Sequence, residues 1–100
     1  MARELRILPR AKTDLDDIWE HIAPDSFTAA DRVEIELQEA IRDLLQFPGK
    51  GHTRDDVQDK TLRFWTVYSY LIVFRYEDRS LTVVRVIHGA RRIGPLLGNT

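Results

Sequence analysis

The sequence predicts an α+β domain in the order β-α-α-β-β-β, a helical hairpin packed on a small, mainly antiparallel sheet. Three observations predict it. Residues 11–22 and 28–46 carry apolar side chains at helical spacing, separated only by a Pro24-Asp25 break. Residues 62–88 hold three runs rich in β-branched and aromatic residues, the last two joined by a four-residue turn. The connection between the helices is too short to do anything but reverse the chain, so they are expected to lie antiparallel.

In order, residues 2–8 read as a first strand, with Leu5 and Ile7 alternating against Glu4 and Arg6, and Pro9 ends it. Ala11, Leu15, Ile18, Trp19 and Ile22 then form one helical face, and Asp14, Asp16, Asp17 and Glu20 are assigned to the other. Thr28 with Asp31 three residues on resembles a capping box that opens the second helix, whose face is Ala30, Val33, Leu37, Ala40, Ile41 and Leu44. Ile35 lies off that face, and Phe47-Pro48-Gly49 stops the helix. Residues 49–61 are polar, aperiodic and rich in turn formers; a loop of that length in so small a domain is functional or loosely ordered.

Three strands follow, Leu62–Tyr68, Tyr70–Tyr76 and Leu81–His88. The tight turn over Glu77–Ser80 sets residues 75 and 82, 73 and 84, and 71 and 86 as cross-strand neighbours. Both faces of that hairpin are then apolar, and a helical hairpin covers only one. The other face is closed by a partner, by the C-terminal segment, or by the long loop folding back together with residues 93–100. Gly94, Pro95 and Gly98 limit any final helix to about one turn near Ala90–Ile93.

Composition narrows the class. One hundred residues, 43% hydrophobic and 31% charged, make a single soluble domain with one modest core. No apolar run approaches the ~20 residues of a membrane span, and Arg3, Glu4 and Arg6 stand where a signal peptide needs an apolar stretch, so a cytoplasmic protein is expected. The absence of cysteine excludes disulfides, thiol catalysis and cysteine-ligated zinc; His21, His52 and His88 are too scattered to suggest a metal site, and no cofactor is expected. Residues 1–50 hold 7 Lys/Arg against 11 Asp/Glu, and residues 51–100 hold 8 against 5, which makes the second half the docking side for an acidic partner. Arginine outnumbers lysine 12 to 3, a bias that suits planar contacts with carboxylate or phosphate and that a GC-rich genome also produces.

The residue that most needs a reason is Arg85, between Val84 and Val86 in an otherwise apolar strand. A buried charge must meet a partner, an anion or the edge of a pocket; an acid of the helices or a backbone carbonyl serves as well as a functional ligand. His88 beside Gly89 is either an acid-base group or a strand-end residue bonding the turn. Trp19 and Trp65 read as core, with Trp65 on the sheet also suited to anchor a partner. Arg63 and Arg75 are either functional cations or side chains lying along the sheet edge. Asp55, Asp56 and Asp59 read as a solvated loop face.

This order, and its residues, resemble the ParE/RelE superfamily of type II toxins, small proteins encoded beside a neutralising antitoxin. The run from Ala11 to Ala23 is similar to the first helix of that family, and Ala40 to Gly49 to the end of its second. Gly51 and Arg54 resemble its Gly-to-Arg turn; the most specific pieces are Tyr70 to Tyr76 and Arg85 to Arg92. The resemblance implies a ParD-like or RelB-like antitoxin whose C-terminal part wraps the toxin, gaining apolar burial and charge pairing on binding. The implied partner-contacting set is Trp65, Arg75, Arg85, Arg91, Arg92, Leu96 and Leu97.

The superfamily divides by action. ParE-like members block DNA gyrase; RelE-like members cut messenger RNA on the ribosome, which requires a proton acceptor, cations on the phosphate and an acid for the leaving oxygen. For cleavage the candidates are Arg63, Arg85 and His88. However, residues 93–100 contain no acid or base, only Lys60 stands before the second strand of the family pattern, and a chain of pI ≈ 6.3 lacks the basic surface that phosphate contacts favour. The Arg85-to-Arg92 run is nearer the ParE-like side. The expectation is therefore a gyrase inhibitor rather than an endoribonuclease, with direct nucleic-acid contact and membrane association not expected, and an inactive copy that only binds its antitoxin as a third class.

Overall fold

The computed structural model describes residues 3–89 and 93–97. A short strand β1 (Glu4–Ile7) leads into helices α1 (Pro9–Ile22) and α2 (Phe27–Gln46), a 3-10 turn (Pro48–Lys50), strands β2 (Arg63–Val67), β3 (Tyr70–Glu77) and β4 (Ser80–His88), and a one-turn helix α3 (Ile93–Leu96). The sheet order is β1-β4-β3-β2, with β1 parallel to β4 and the other pairs antiparallel. The predicted order of elements is the observed one.

Local chemistry fixes the boundaries, which differ from the sequence reading at the starts of both long helices and at the final turn, seen over Ile93–Leu96 rather than near Ala90–Ile93. Pro9 does not merely end the strand; it occupies the first turn of α1, where a missing N–H costs nothing and its fixed φ suits the helix. The second helix begins earlier than Thr28. Ser26 is its N-cap, its Oγ accepting from the Ala29 N–H at 3.1 Å. Trp19 is half-buried rather than core, stacked on Phe27 at 5.7 Å with its indole N–H donating to Asp31 at 2.9 Å, and so ties the two helices at their shared turn.

The β3–β4 register holds for the pair 75/82 and then shifts. Phe74 lies opposite Val83, but Val73 lies opposite Arg85 and Leu71 opposite Ile87, so Val84 is an extra residue in β4. This bulge replaces the expected pairs 73/84 and 71/86 and moves Val86 to the helix-side face.

Both faces of the sheet are covered. Ala11 of α1 and Leu37, Ile41 and Leu44 of α2 pack on Ile72, Phe74, Leu81, Val83 and Val86. On the other side Leu71, Val73, Ile87 and Phe64 meet Val57 and Leu62 from the long loop and Ile93 from α3. Of the three covers considered from sequence, the loop and the C-terminal segment supply this one.

Candidate functional site

The feature of the fold that gathers chemistry is a notch in the sheet. β1 pairs with β4 only from Glu4↔Ser80 to Ile7↔Val83, because Pro9 carries the chain off the sheet into α1. β4 continues to His88, so that beyond Val83 its outer edge has no neighbouring strand among the described residues. Helix α1 runs beside that edge. Between them lies a cleft of about 320 Å³, lined on the helix by Arg10, Asp14, Asp17, Ile18 and His21 and on the sheet by Tyr70, Arg85, Val86, Ile87 and His88.

Asp14 closes the floor of this cleft. Its carboxylate accepts from Arg85 Nε at 2.7 Å, from Arg85 Nη2 at 3.1 Å and from the backbone N–H of Val86 at 3.0 Å. The two residues are 5% and 8% exposed, so the charges neutralise each other where neither is stable alone. The remaining guanidinium arm, Nη1, donates to the carbonyl of Leu96 at 3.3 Å. Arg85 therefore joins three elements, with α1 on one side of the sheet edge and the C-terminal helix on the other.

Asp14 was assigned to the polar face of its helix, and the structure corrects that. It lies three residues after Ala11 and four before Ile18, which is the apolar register, and there it meets the single arginine of β4. That register was the signal: one carboxylate on an apolar helix face and one arginine in an apolar strand. Arg10, Asp17, His21 and Tyr70 had no such signal, since only the fold brings them to one cleft.

The other sequence-selected residues are dispersed. Arg63 is half-buried on β2, its Nη1 donating to the carbonyls of Lys60 at 2.9 Å and Leu62 at 3.2 Å. β3 separates β2 from β4, so Arg63 and Arg85 stand two strands apart. Trp65 is half-buried on the helix side, beneath Lys50 Nζ at 4.5 Å and stacked with His52 at 5.9 Å. Arg75 is exposed on β3, opposite Thr82. Leu96 and Leu97 are half-buried against the loop-side core, which leaves them partly open to a partner. His88 is exposed at the mouth of the cleft, edge-on to Tyr70 at 5.5 Å. Arg91 and Arg92 lie outside the described residues.

Two perturbed carboxyls belong to the loop. The side-chain hydrogen bonds from Arg54, at 2.9 Å each, hold the Asp56 carboxyl below the usual range. Bonds from Thr61 do the same for Asp59. Tyr68, in the β2–β3 turn with φ of 54°, has its phenol raised chiefly by a hydrogen bond with Glu36. Among the described residues no cluster of three or more potential ligands is placed to hold a metal ion, and no helix is long and apolar enough to cross a membrane.

The comparisons with known proteins agree with this architecture. A chain of the chromosomal ParDE TA system from P. aeruginosa superimposes with a TM-score of 0.72 at 20% identity, covering 87% of this chain and 96% of that one. A chain of the toxin-antitoxin complex RelBE2 from Mycobacterium tuberculosis gives 0.68 at 17%, covering 88% and 99%. No curated protein matches by sequence. The family model described as the ParE toxin of type II toxin-antitoxin systems, parDE, matches residues 5–93. A helical hairpin on a four-stranded sheet, together with a family match over nearly the whole chain, establishes that this protein belongs to the ParE toxins of the ParE/RelE superfamily.

Proposed function

We propose that this toxin acts by binding and inhibiting DNA gyrase, and that a ParD-like or RelB-like antitoxin neutralises it. The observation that carries the reading is the state of Arg85. Phosphate cleavage needs cations directed at a common reacting centre. Here the guanidinium of Arg85 is occupied by Asp14 and the Leu96 carbonyl, and Arg63 is two strands away on carbonyls of its own. Side chains used this way hold the fold together and are not directed at a phosphate, which favours a toxin that acts by binding over a nuclease. The near-neutral charge of the chain favours the same reading, because affinity for ribosomal RNA grows with the number of phosphates contacted. The antitoxin component is supported by the family and by the two solved systems, each described as a toxin-antitoxin pair.

One observation favours the second reading, ribosome-dependent messenger RNA cleavage. Tyr70, His88 and His21 share a cleft with Arg10, which places groups able to exchange protons near a cation. The deciding experiment incubates the antitoxin-free chain with gyrase and relaxed plasmid, following supercoiling and cleaved DNA, and in parallel with translating ribosomes. Loss of supercoiling with accumulated breaks supports the first reading. Unimpaired supercoiling at saturating protein, with messenger cleavage that His88→Ala abolishes, supports the second.

A further inference from the structure

Helix α2 turns Leu37, Ile41 and Leu44 into the core and leaves Ile35 54% exposed in the middle of its outer face. A lone exposed isoleucine is ordinary; the charges around this one follow an order. At ~100° per residue, Arg32 and Glu39, seven positions apart, fall within about 20° of one line along the helix. Asp31 and Arg42, eleven positions apart, fall as closely on a second line. Ile35 lies between the two lines, and all four charged residues are exposed.

Among the described residues these charges find no counter-ion. Arg32, Glu39 and Arg42 form no ion pair there, and Asp31 accepts only the neutral indole N–H of Trp19, at 2.9 Å. Between the ridge of residues 28, 32 and 36 and the ridge of residues 31, 35 and 39 runs an open groove of about 470 Å³. Such a groove seats a side-chain ridge of a facing helix. Helix α1 offers nothing comparable, since none of its exposed positions carries a large apolar residue.

Each line carries one cation and one anion, in opposite order: Arg32 precedes Glu39, whereas Asp31 precedes Arg42. The four charges sum to zero, which suits neither a strongly acidic nor a strongly basic partner. Reversing the helix direction sets each charge of a line against its opposite on the same line, so the face is complementary to itself. Take a twofold axis near Glu36, at ~1.5 Å rise per residue. Arg32 then stands within about 1.5 Å of the level of the partner's Glu39, and Asp31 within about 1.5 Å of the level of the partner's Arg42. Glu36 itself lies about 100° around the helix from Ile35, out of the seam, and its hydrogen bond with Tyr68 raises that phenol.

We infer that the outer face of α2 docks against the same face of a second copy of this chain, antiparallel about that axis. The two Ile35 side chains meet at the centre, flanked by the two ion pairs and their symmetry mates. The occupant is a second copy and not another protein because the complementarity is with itself along both lines. Tyr68, 57% exposed beside Glu36, adds aromatic surface at the edge of the contact. Helix α2 packs on one side of the sheet, so the loop-side face, with Leu96 and Leu97, stays open in both copies. The dimer therefore presents two equivalent surfaces to whatever the toxin binds.

The test is the mass of the antitoxin-free full chain, followed by sedimentation over a range of protein and salt concentrations. The wild type is expected to pass from monomer to dimer as its concentration rises, and salt should weaken the dimer. Arg32→Glu or Glu39→Arg, each at an exposed position, sets like charges on one line. Each should weaken dimerisation roughly tenfold or more, at unchanged melting temperature. Mixed together, those two variants are complementary and should form a heterodimer at concentrations where neither pairs alone. Arg32→Glu combined with Glu39→Arg in one chain should dimerise as the wild type does, and Ile35→Arg should abolish dimerisation. A wild-type chain that stays monomeric at millimolar concentration, or a dimer indifferent to both charge reversals, overturns the inference. So does a monomeric wild type whose antitoxin binding is lost in Ile35→Arg, since that result assigns the face to the antitoxin.

Discussion

The two faces of this sheet are closed by different kinds of cover. On the helix side, α1 and α2 bring Ala11, Leu37, Ile41 and Leu44 at regular spacing onto Ile72, Phe74 and Leu81. On the loop side, Val57 and Leu62 from an aperiodic loop and Ile93 from a four-residue helix do the same work for Leu71, Val73 and Ile87. A long helix places several apolar residues for one backbone conformation, whereas a loop must order each of its residues to place one or two. The loop-side cover therefore relies on point anchors, such as the Arg85 to Leu96 bond and the Arg54–Asp56 pair. It is the side expected to open first under mild destabilisation.

That contrast can be broken most forcefully at Asp14, which serves both sides. Asp14→Ala strands a buried guanidinium and an N–H, and should cost about 3–5 kcal/mol in urea unfolding. Asp14→Leu combined with Arg85→Met should recover much of that loss, yet release the C-terminal helix, read as faster amide exchange at Leu97. Within the faces, Phe74→Ala on the helix side is expected to cost about 3–5 kcal/mol. Ile93→Ala should cost about 2 kcal/mol, the low end for such a deletion, because a single-turn helix can relax into the space.

A finer probe is the seam where the loop crosses the sheet. A Cβ on Gly51 would lie 2.5 Å from the Phe74 ring, a fully buried side chain with nowhere to go, whereas one on Gly49 meets nothing within 4 Å. Gly51→Ala should thus destabilise by about 1–3 kcal/mol, and Gly49→Ala should leave the urea midpoint unchanged or slightly raised. The smallest effect concerns pH. Asp56 and Asp59 have carboxyls held below their ordinary values by bonds from Arg54 and Thr61. Their contribution is present above the ordinary carboxylate range and is lost as pH falls through the folded-state values. Amide protection in residues 54–61 should therefore decline on acidification before that of α2 does.

How much of this was legible in the sequence follows the same division. The helices, the three-strand run and their order were readable because each rests on a period that neighbouring residues impose. The Ser26 cap was missed in favour of Thr28 because both residues offer a hydroxyl, and only the backbone at Ser26, extended at φ −165°, decides which one faces the helix N-terminus. The need to explain Arg85 was legible too, and so was the class of answer, an acid of the helices or a carbonyl; the structure supplies both.

By itself the sequence determined the fold class, the element order, the apolar surplus on the sheet and the family resemblance, since all four are carried by short-range pattern. Tertiary structure alone decided what covers the second face, where the register shifts at Val84, and that Asp14 is the partner of Arg85 across 71 positions of chain. It also decided that Arg10, Asp17, His21, Tyr70 and His88 share one cleft. Those facts depend on where β1 stops and α1 begins relative to β4, a relation between distant segments that no local pattern encodes.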